Sequence, residues 1–248
     1  MRILIVLCYI ISVINLVHAA DDIVVVRSTD YQLFSPGQLL DLKESVYLPP
    51  KAEITVVFPT GGVETIIGPY NSPLIDPLGG TGEAEPELVK KLAHFITEQA
   101  DKPTQDGNTR GTGADAILLS SQQPMWAVDV NTSERYYCIA PSSNVVLWRP
   151  EDESQTASLL YIKHKSTGKR ARVVWPARQT TLKWPESLPI IYGETYTIEV
   201  NTRQRSPKFK ILILYQVPTE LPTDSHKIVW MVGRGCVPQA NLLLASLR

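Results

Sequence analysis

The sequence predicts a mainly β protein, with a small N-terminal β-domain followed by a C-terminal antiparallel β-sandwich that has a helical C-terminal end. Three observations carry this expectation. Apolar runs of strand length, many of them alternating, recur along the chain between clusters of turn residues. Cys138 and Cys236 bracket a segment holding Trp148, Trp175, Trp184 and Trp230, four of the five tryptophans, with Trp126 just upstream. Helical spacing of apolar residues is confined to residues 85–99 and to the stretch after Pro222.

Residues 1–19 read as a secretory signal. Arg2 supplies a short positive start, residues 3–17 are apolar apart from Ser12 and Asn15, and Val17-His18-Ala19 precedes Asp21-Asp22. The run is short for a spanning helix, so a cleaved signal fits better than the alternative, an uncleaved anchor. No later run reaches spanning length, and the expected location is periplasmic or secreted. Cys8 falls inside the signal and is not placed for lipid attachment. Cys138 and Cys236 then remain as an even pair in an oxidising compartment, which suggests a disulfide, two separately buried thiols being the alternative.

The N-terminal domain, residues 20–76, opens with the β-branched run Ile23-Val24-Val25-Val26. Ser35-Pro36-Gly37 is a turn, since proline presets one φ and glycine accepts the other. Val46-Tyr47-Leu48 is a short strand stopped by Pro49-Pro50. Residues 53–58 and 63–67 form the best hairpin signal, joined by Pro59-Thr60-Gly61-Gly62. The order of SVYLPPKAEITVVF and GGVETIIGP resembles the β-repeat of FecR-like periplasmic domains over some fifty residues. That resemblance implies a small β-fold. The signalling role of FecR-type regulators, which needs a membrane span and a cytoplasmic tail, does not carry over.

Residues 77–125 read as a helix and a flexible linker. Pro86 suits a first helical position, Glu83, Glu85 and Glu87 favour the positive end, and Leu88, Val89, Leu92, Phe95 and Ile96 form one apolar face. Residues 101–115 are polar and glycine-containing, hence the domain boundary, and residues 116–119 are expected to add a short strand.

Residues 126–248 supply the sandwich. Strands are expected over residues 126–130, 135–140, 144–149, 158–163, 169–175, 180–184, 195–200 and 208–217. Ser166-Thr167-Gly168 is a hairpin turn, and Trp175-Pro176 and Trp184-Pro185 end strands because proline cannot donate to a ladder. The tryptophans are expected as core anchors, a ligand-stacking role for one of them being the alternative. Thr223, Asp224 and Ser225 are good caps for a short helix ending at Gly233 and Gly235, and residues 237–247 read as a terminal helix. The ending GRGCVPQANLLLASL resembles that of exported proteobacterial proteins that join a FecR-like start to a β-sandwich. This implies an architecture and no activity.

Motifs for catalysis are absent. His94, His164 and His226 show no metal-ligand spacing, so no metal and no cofactor is expected. No Gly-x-Ser-x-Gly occurs. Ser166-Thr167-Gly168-Lys169 matches Ser-x-x-Lys, but in a turn, where the helical geometry that pairs serine with lysine is lost. Gly168-Lys169 lacks the rest of a phosphate loop. Glu151, Asp152 and Glu153 read as a solvated loop, with too few oxygen ligands at defined spacing for calcium. Asn131-Thr132-Ser133 matches a glycosylation sequon by pattern only.

Charge is the suggestive feature. Residues 20–125 carry 7 Lys/Arg against 15 Asp/Glu, a balance of −8, and residues 126–248 carry 16 against 10, or +6. Lys163, Lys165, Lys169, Arg170, Arg172, Arg178 and Lys183 follow one another with no acid between them. Arg203, Arg205, Lys208 and Lys210 form a second group. The expected binding residues are Lys163, Lys165, Lys169, Arg170, Arg172, Arg203 and Arg205, the plain alternative being strand edges protected by charge. The expectation is a non-enzymatic exported protein that binds another envelope protein or an anionic polymer. Nucleic acid is a poor partner outside the cytoplasm. A hydrolase with an unrecognised site and a periplasmic regulator of a membrane protein are the alternatives.

Overall fold

The computed structural model describes residues 22–79, 82–100, 123–202 and 206–247. The signal, the linker expected at 101–115, the strand expected at 116–119, and Arg203 and Arg205 lie outside the described residues.

Strand β1 (Asp22–Ser28) is central in a four-stranded antiparallel sheet, ordered β2 (Leu39–Asp41), β1, β4 (Glu53–Val57), β5 (Val63–Ile67). A two-stranded ribbon, β3 (Ser45–Leu48) with β6 (Tyr70–Pro73), lies beside it. The unbroken apolar run of β1 has a direct cause: both its faces are buried. Ile23 and Val25 pack with Val46, Leu48, Ile54 and Phe58, while Val24 and Val26 face helices. The expected hairpin is present, with Val57 opposite Val63 and Glu53 opposite Ile67. The short strands β2 and β6 were not legible, because three or four residues beside a turn carry too little pattern.

Helix α1 (Pro86–Ala100) buries Leu88, Val89, Leu92, Ala93, Phe95 and Ile96, the face its spacing predicts. It packs on β1 and on the C-terminal helices.

The second half is a two-sheet sandwich. Its larger sheet is ordered β11 (Arg170–Trp175), β10 (Ser158–His164), β13 (Thr195–Thr202), β14 (Lys208–Gln216), β8 (Tyr136–Ile139). Its smaller sheet is β12 (Thr181–Lys183), β9 (Val146–Trp148), β7 (Ala127–Asp129). Trp175, Tyr196, Leu160, Ile162, Ile198, Leu212 and Leu214 from the larger sheet meet Val128 and Leu147 from the smaller, with Val130, Val145 and Trp184 beside them. The pairings are antiparallel except β14 with β8 and β7 with β9, which are parallel, so the sandwich is mixed rather than purely antiparallel. Within the stretch expected as a strand over residues 126–130, Trp126 packs against the core that holds the helices, while Val128 and Val130 enter the sandwich core.

Helices α2 (Asp224–Gly233) and α3 (Val237–Ser246) close the chain. Thr223 caps α2 by accepting a hydrogen bond from the His226 backbone N–H at 3.4 Å. These helices do more than finish the sandwich. Ile228, Met231, Ala240, Leu243 and Leu244 join Val24 and Val57 of the first sheet, Val89 and Leu92 of α1, and Cys138 of β8 in one core. Each large apolar side chain so buried contributes about 1.5–3 kcal/mol relative to exposure. The expected disulfide is present: Cys138 on β8 is bonded to Cys236, which precedes α3, with Cα atoms 5.7 Å apart at a sequence separation of 98.

The turn between β4 and β5 locks onto the start of α2. Ser225 Oγ donates to the Gly61 carbonyl at 3.1 Å. Gly61 holds φ +82°, and a Cβ there would meet the Thr223 hydroxyl and lie 2.6 Å from Cε1 of His226. Glycine is required on both counts.

Candidate functional site: an open, basic and aromatic sheet face

Alternation along the larger sheet assigns its two faces. On β10, Leu160, Ile162 and His164 point inward, leaving Tyr161 and Lys163 outward. On β11, Ala171 and Trp175 point inward, leaving Arg170, Arg172 and Val174 outward. On β14, Lys210, Leu212 and Leu214 point inward, and Phe209, Ile211, Ile213 and Tyr215 outward.

Strand register then places these side chains in rows. Arg172 is opposite Tyr161, Tyr161 opposite Glu199, and Glu199 opposite Phe209. The next row runs Arg170, Lys163, Thr197, Ile211. With strands about 4.8 Å apart, each row spans roughly 14 Å. The Arg172 guanidinium carbon is 6.0 Å from the centre of the Tyr161 ring.

The outer face is only partly covered. At β8 and the far end of β14, Tyr215 and Cys138 lie against the C-terminal helices, and the Gly235 backbone closes on the Tyr136 ring. The rest is open: Phe209 is 74% exposed, Val174 62% and Ile211 42%. An exposed phenylalanine on the same sheet face as three cations, with Ile211 and Val174 also exposed, differs from the scattered apolar residues of an ordinary surface. Glu199 is the acid in the middle of this face, and Asn201 Nδ2 donates to it at 2.8 Å.

Of the residues expected to bind, Lys163, Arg170 and Arg172 share this face, with Lys165 and Lys169 at the adjoining hairpin. The other basic residues are not brought to it. Lys183 is on the smaller sheet and Arg178 is in a turn with φ +61°. Lys208 pairs with Glu153 at 3.1 Å. Lys210 is buried. Tyr161, Phe209 and Ile211 complete the surface and were not singled out by sequence, because both faces of β14 are apolar and period alone does not tell which one meets water.

The Ser-x-x-Lys turn is tied up by its own neighbours. Ser166 Oγ donates to Glu194 at 2.6 Å, and Thr167 Oγ1 lies 2.7 Å from His164 Nδ1. Gly168 has φ +70° and closes the hairpin.

Two buried cations pin the sandwich. Arg149, 2% exposed, donates to the carbonyls of Gln179 at 3.0 Å, Pro176 at 2.7 Å and Thr156 at 3.3 Å, and to Ser158 Oγ at 2.8 Å. Its guanidinium also stacks 4.6 Å from the Trp175 ring centre. Burial lowers its pKa, and nearby Glu153 raises it back in part. Lys210 Nζ donates to the Thr132 carbonyl at 2.8 Å and to Tyr137 Oη at 3.2 Å. Burial pushes its pKa down to about 8, opposed by Asp129. Burial also raises the pKa of Asp129 and of Tyr137. The small pocket beside Arg149 and Lys208 has a volume of about 10 Å³, room for one water at most. Among the described residues, no group of His, Cys, Asp and Glu is placed to hold a metal ion. No helix among them is long and apolar enough to cross a membrane.

No known family model matches this sequence, no curated protein matches it, and no solved structure matches it.

Proposed function

We propose that this is a non-enzymatic protein acting outside the cytoplasm, in the periplasm or as a secreted protein, and that its open sheet face binds an acidic envelope protein. The observation that carries this reading is Phe209, 74% exposed, on one row with Tyr161 and Arg172, next to the row that holds Arg170, Lys163 and Ile211. Aromatic and arginine side chains supply most of the energy of protein interfaces, and cations on one side select an acidic partner. A polyphosphate partner would leave Phe209 and Ile211 without a role, and a sugar chain would leave the exposed aliphatic Ile211 and Val174 without one, so a protein is favoured over an anionic polymer. The disulfide supports an oxidising location.

The test immobilises wild type and the Lys163→Glu/Arg170→Glu/Arg172→Glu variant side by side and presents envelope extract at low and high salt. The expected result is an acidic protein retained by wild type at low salt, released at high salt, and not retained by the variant. Retention of the same proteins by both would sink the reading.

A hydrolase remains the second reading, on one observation: Lys210, Asp129 and Tyr137 are buried together with shifted pKa values. Their hydrogen bonds point to backbone, to the Thr132 hydroxyl and to each other, which favours a pin over a catalyst.

A further inference from the structure

A second surface feature lies between α1 and α2. It is an open groove of about 750 Å³, within the range of small-molecule sites. Leu88 and Phe95 of α1 and Val229 and Trp230 of α2 give it an apolar lining.

Its charges are not balanced. Glu85 is engaged by His226 at 3.7 Å, Glu87 by Lys90 at 3.4 Å, and His94 faces Glu98 at 3.5 Å. Lys91 and Arg234 are left with no ion pair among the described residues. Arg234 follows the last turn of α2 and is held between two rings, 5.4 Å from the Trp230 centre and 5.3 Å from the Tyr215 centre. Arg234 lines the groove, and its side-chain N–H donors make no hydrogen bond to described residues. A planar guanidinium so presented matches a carboxylate, which it can take with two parallel hydrogen bonds. From His226 to Arg234 the groove runs along roughly 12 Å of helix. The acid end is at His226 and Glu85, the cationic end at Arg234.

We propose that this groove binds a linear amphiphilic carboxylate of the medium-chain fatty acid class. The carboxylate is held by Arg234, Lys91 adds positive charge from the α1 wall, and the chain lies over Trp230, Val229 and Phe95. An apolar floor alone would take any hydrocarbon. The unpaired arginine at one end is what selects an anion and fixes the ligand's direction.

The test titrates the full chain with decanoate, below its micelle concentration, following tryptophan fluorescence and calorimetry. Saturable binding is expected, with a fluorescence change that Trp230→Phe removes. Decanol should bind about tenfold or more weakly than decanoate, since it cannot make the charged pair. Arg234→Gln should weaken decanoate about tenfold or more and leave decanol unchanged, with a thermal melt confirming that the variant folds. Lys91→Gln, on the far wall, should weaken decanoate less. Equal binding of decanoate and decanol, or decanoate affinity indifferent to Arg234→Gln, would overturn the proposal. So would binding to phosphatidylglycerol vesicles with none to monomeric decanoate, which would make the groove a membrane contact instead. These outcomes are independent of the open sheet face, because none of the substituted residues belongs to its rows.

Discussion

Reducing the Cys138–Cys236 bond should cost this protein a large share of its stability. The bond closes a loop across 98 residues. Restricting the unfolded chain over that length is worth about 4.7 kcal/mol by loop-closure entropy, an upper figure because residual structure in the unfolded state reduces it. Folded domains are stable by only about 5–15 kcal/mol. The bond also acts locally, since both cysteines are fully buried in the core that joins the first sheet, α1, α2, α3 and the end of β8. The assay is urea unfolding of the oxidised protein beside a Cys138→Ala/Cys236→Ala variant. With a slope of about 2 kcal/mol per molar urea, the midpoint should fall by roughly 2 M. Trp230 packs against this core and Trp175 is in the sandwich core, so emission from a protein retaining only Trp230 should change at lower urea than emission from one retaining only Trp175. Coincident midpoints for the bonded and unbonded proteins would refute the reasoning.

Gly61→Ala should destabilise by about 2 kcal/mol or more, since it combines a left-handed backbone with a clash against Thr223 and His226, and a thermal melt reads it. Arg149→Met should cost about 3–5 kcal/mol by stranding the carbonyls of Pro176, Gln179 and Thr156, and Arg149→Lys should not rescue it, because one ammonium cannot serve acceptors spread that widely; chemical denaturation measures both. Lys210 has a folded-state pKa below its ordinary value. Between about pH 8 and 10.5 the unfolded chain therefore holds the extra proton, and stability rises with pH. The rise attributable to Lys210 is on the order of 3 kcal/mol, and it should vanish in Lys210→Met when urea midpoints at pH 7.5 and pH 10 are compared between the two proteins.

Much of the fold was legible because its causes are local. The alternation in β10 and β14, the β-branched run of β1, Pro86 at the head of α1, and Gly168 in the β10–β11 hairpin each predict the element found. Where strands are three or four residues long, as in β2 and β6, pairing decides what pattern cannot. The parallel pairings of β8 and β7 were not legible, since alternation is the same in either direction. The joint core of the first sheet and the C-terminal helices escaped the sequence reading for a similar reason: Ile228, Met231 and Leu243 declare an apolar face but not what they pack against. The candidate surface was half legible. Lys163, Arg170 and Arg172 stand out as a run without acids, and strand period puts them on one side of a hairpin. That Phe209 shares their face, and that Lys210 immediately after it points into the core, depends on which face of β14 the second sheet covers.

The most direct test of the open sheet face as a protein interface is a photo-crosslinking residue placed at Phe209 in living cells, with one at Tyr47, 61% exposed on the first sheet's ribbon, as the comparison. The account predicts a discrete protein adduct at 209 and not at 47, lost when Lys163, Arg170 and Arg172 are changed to Glu. An adduct at 47 alone, none at either position, or one at 209 that survives the charge reversal, would contradict it.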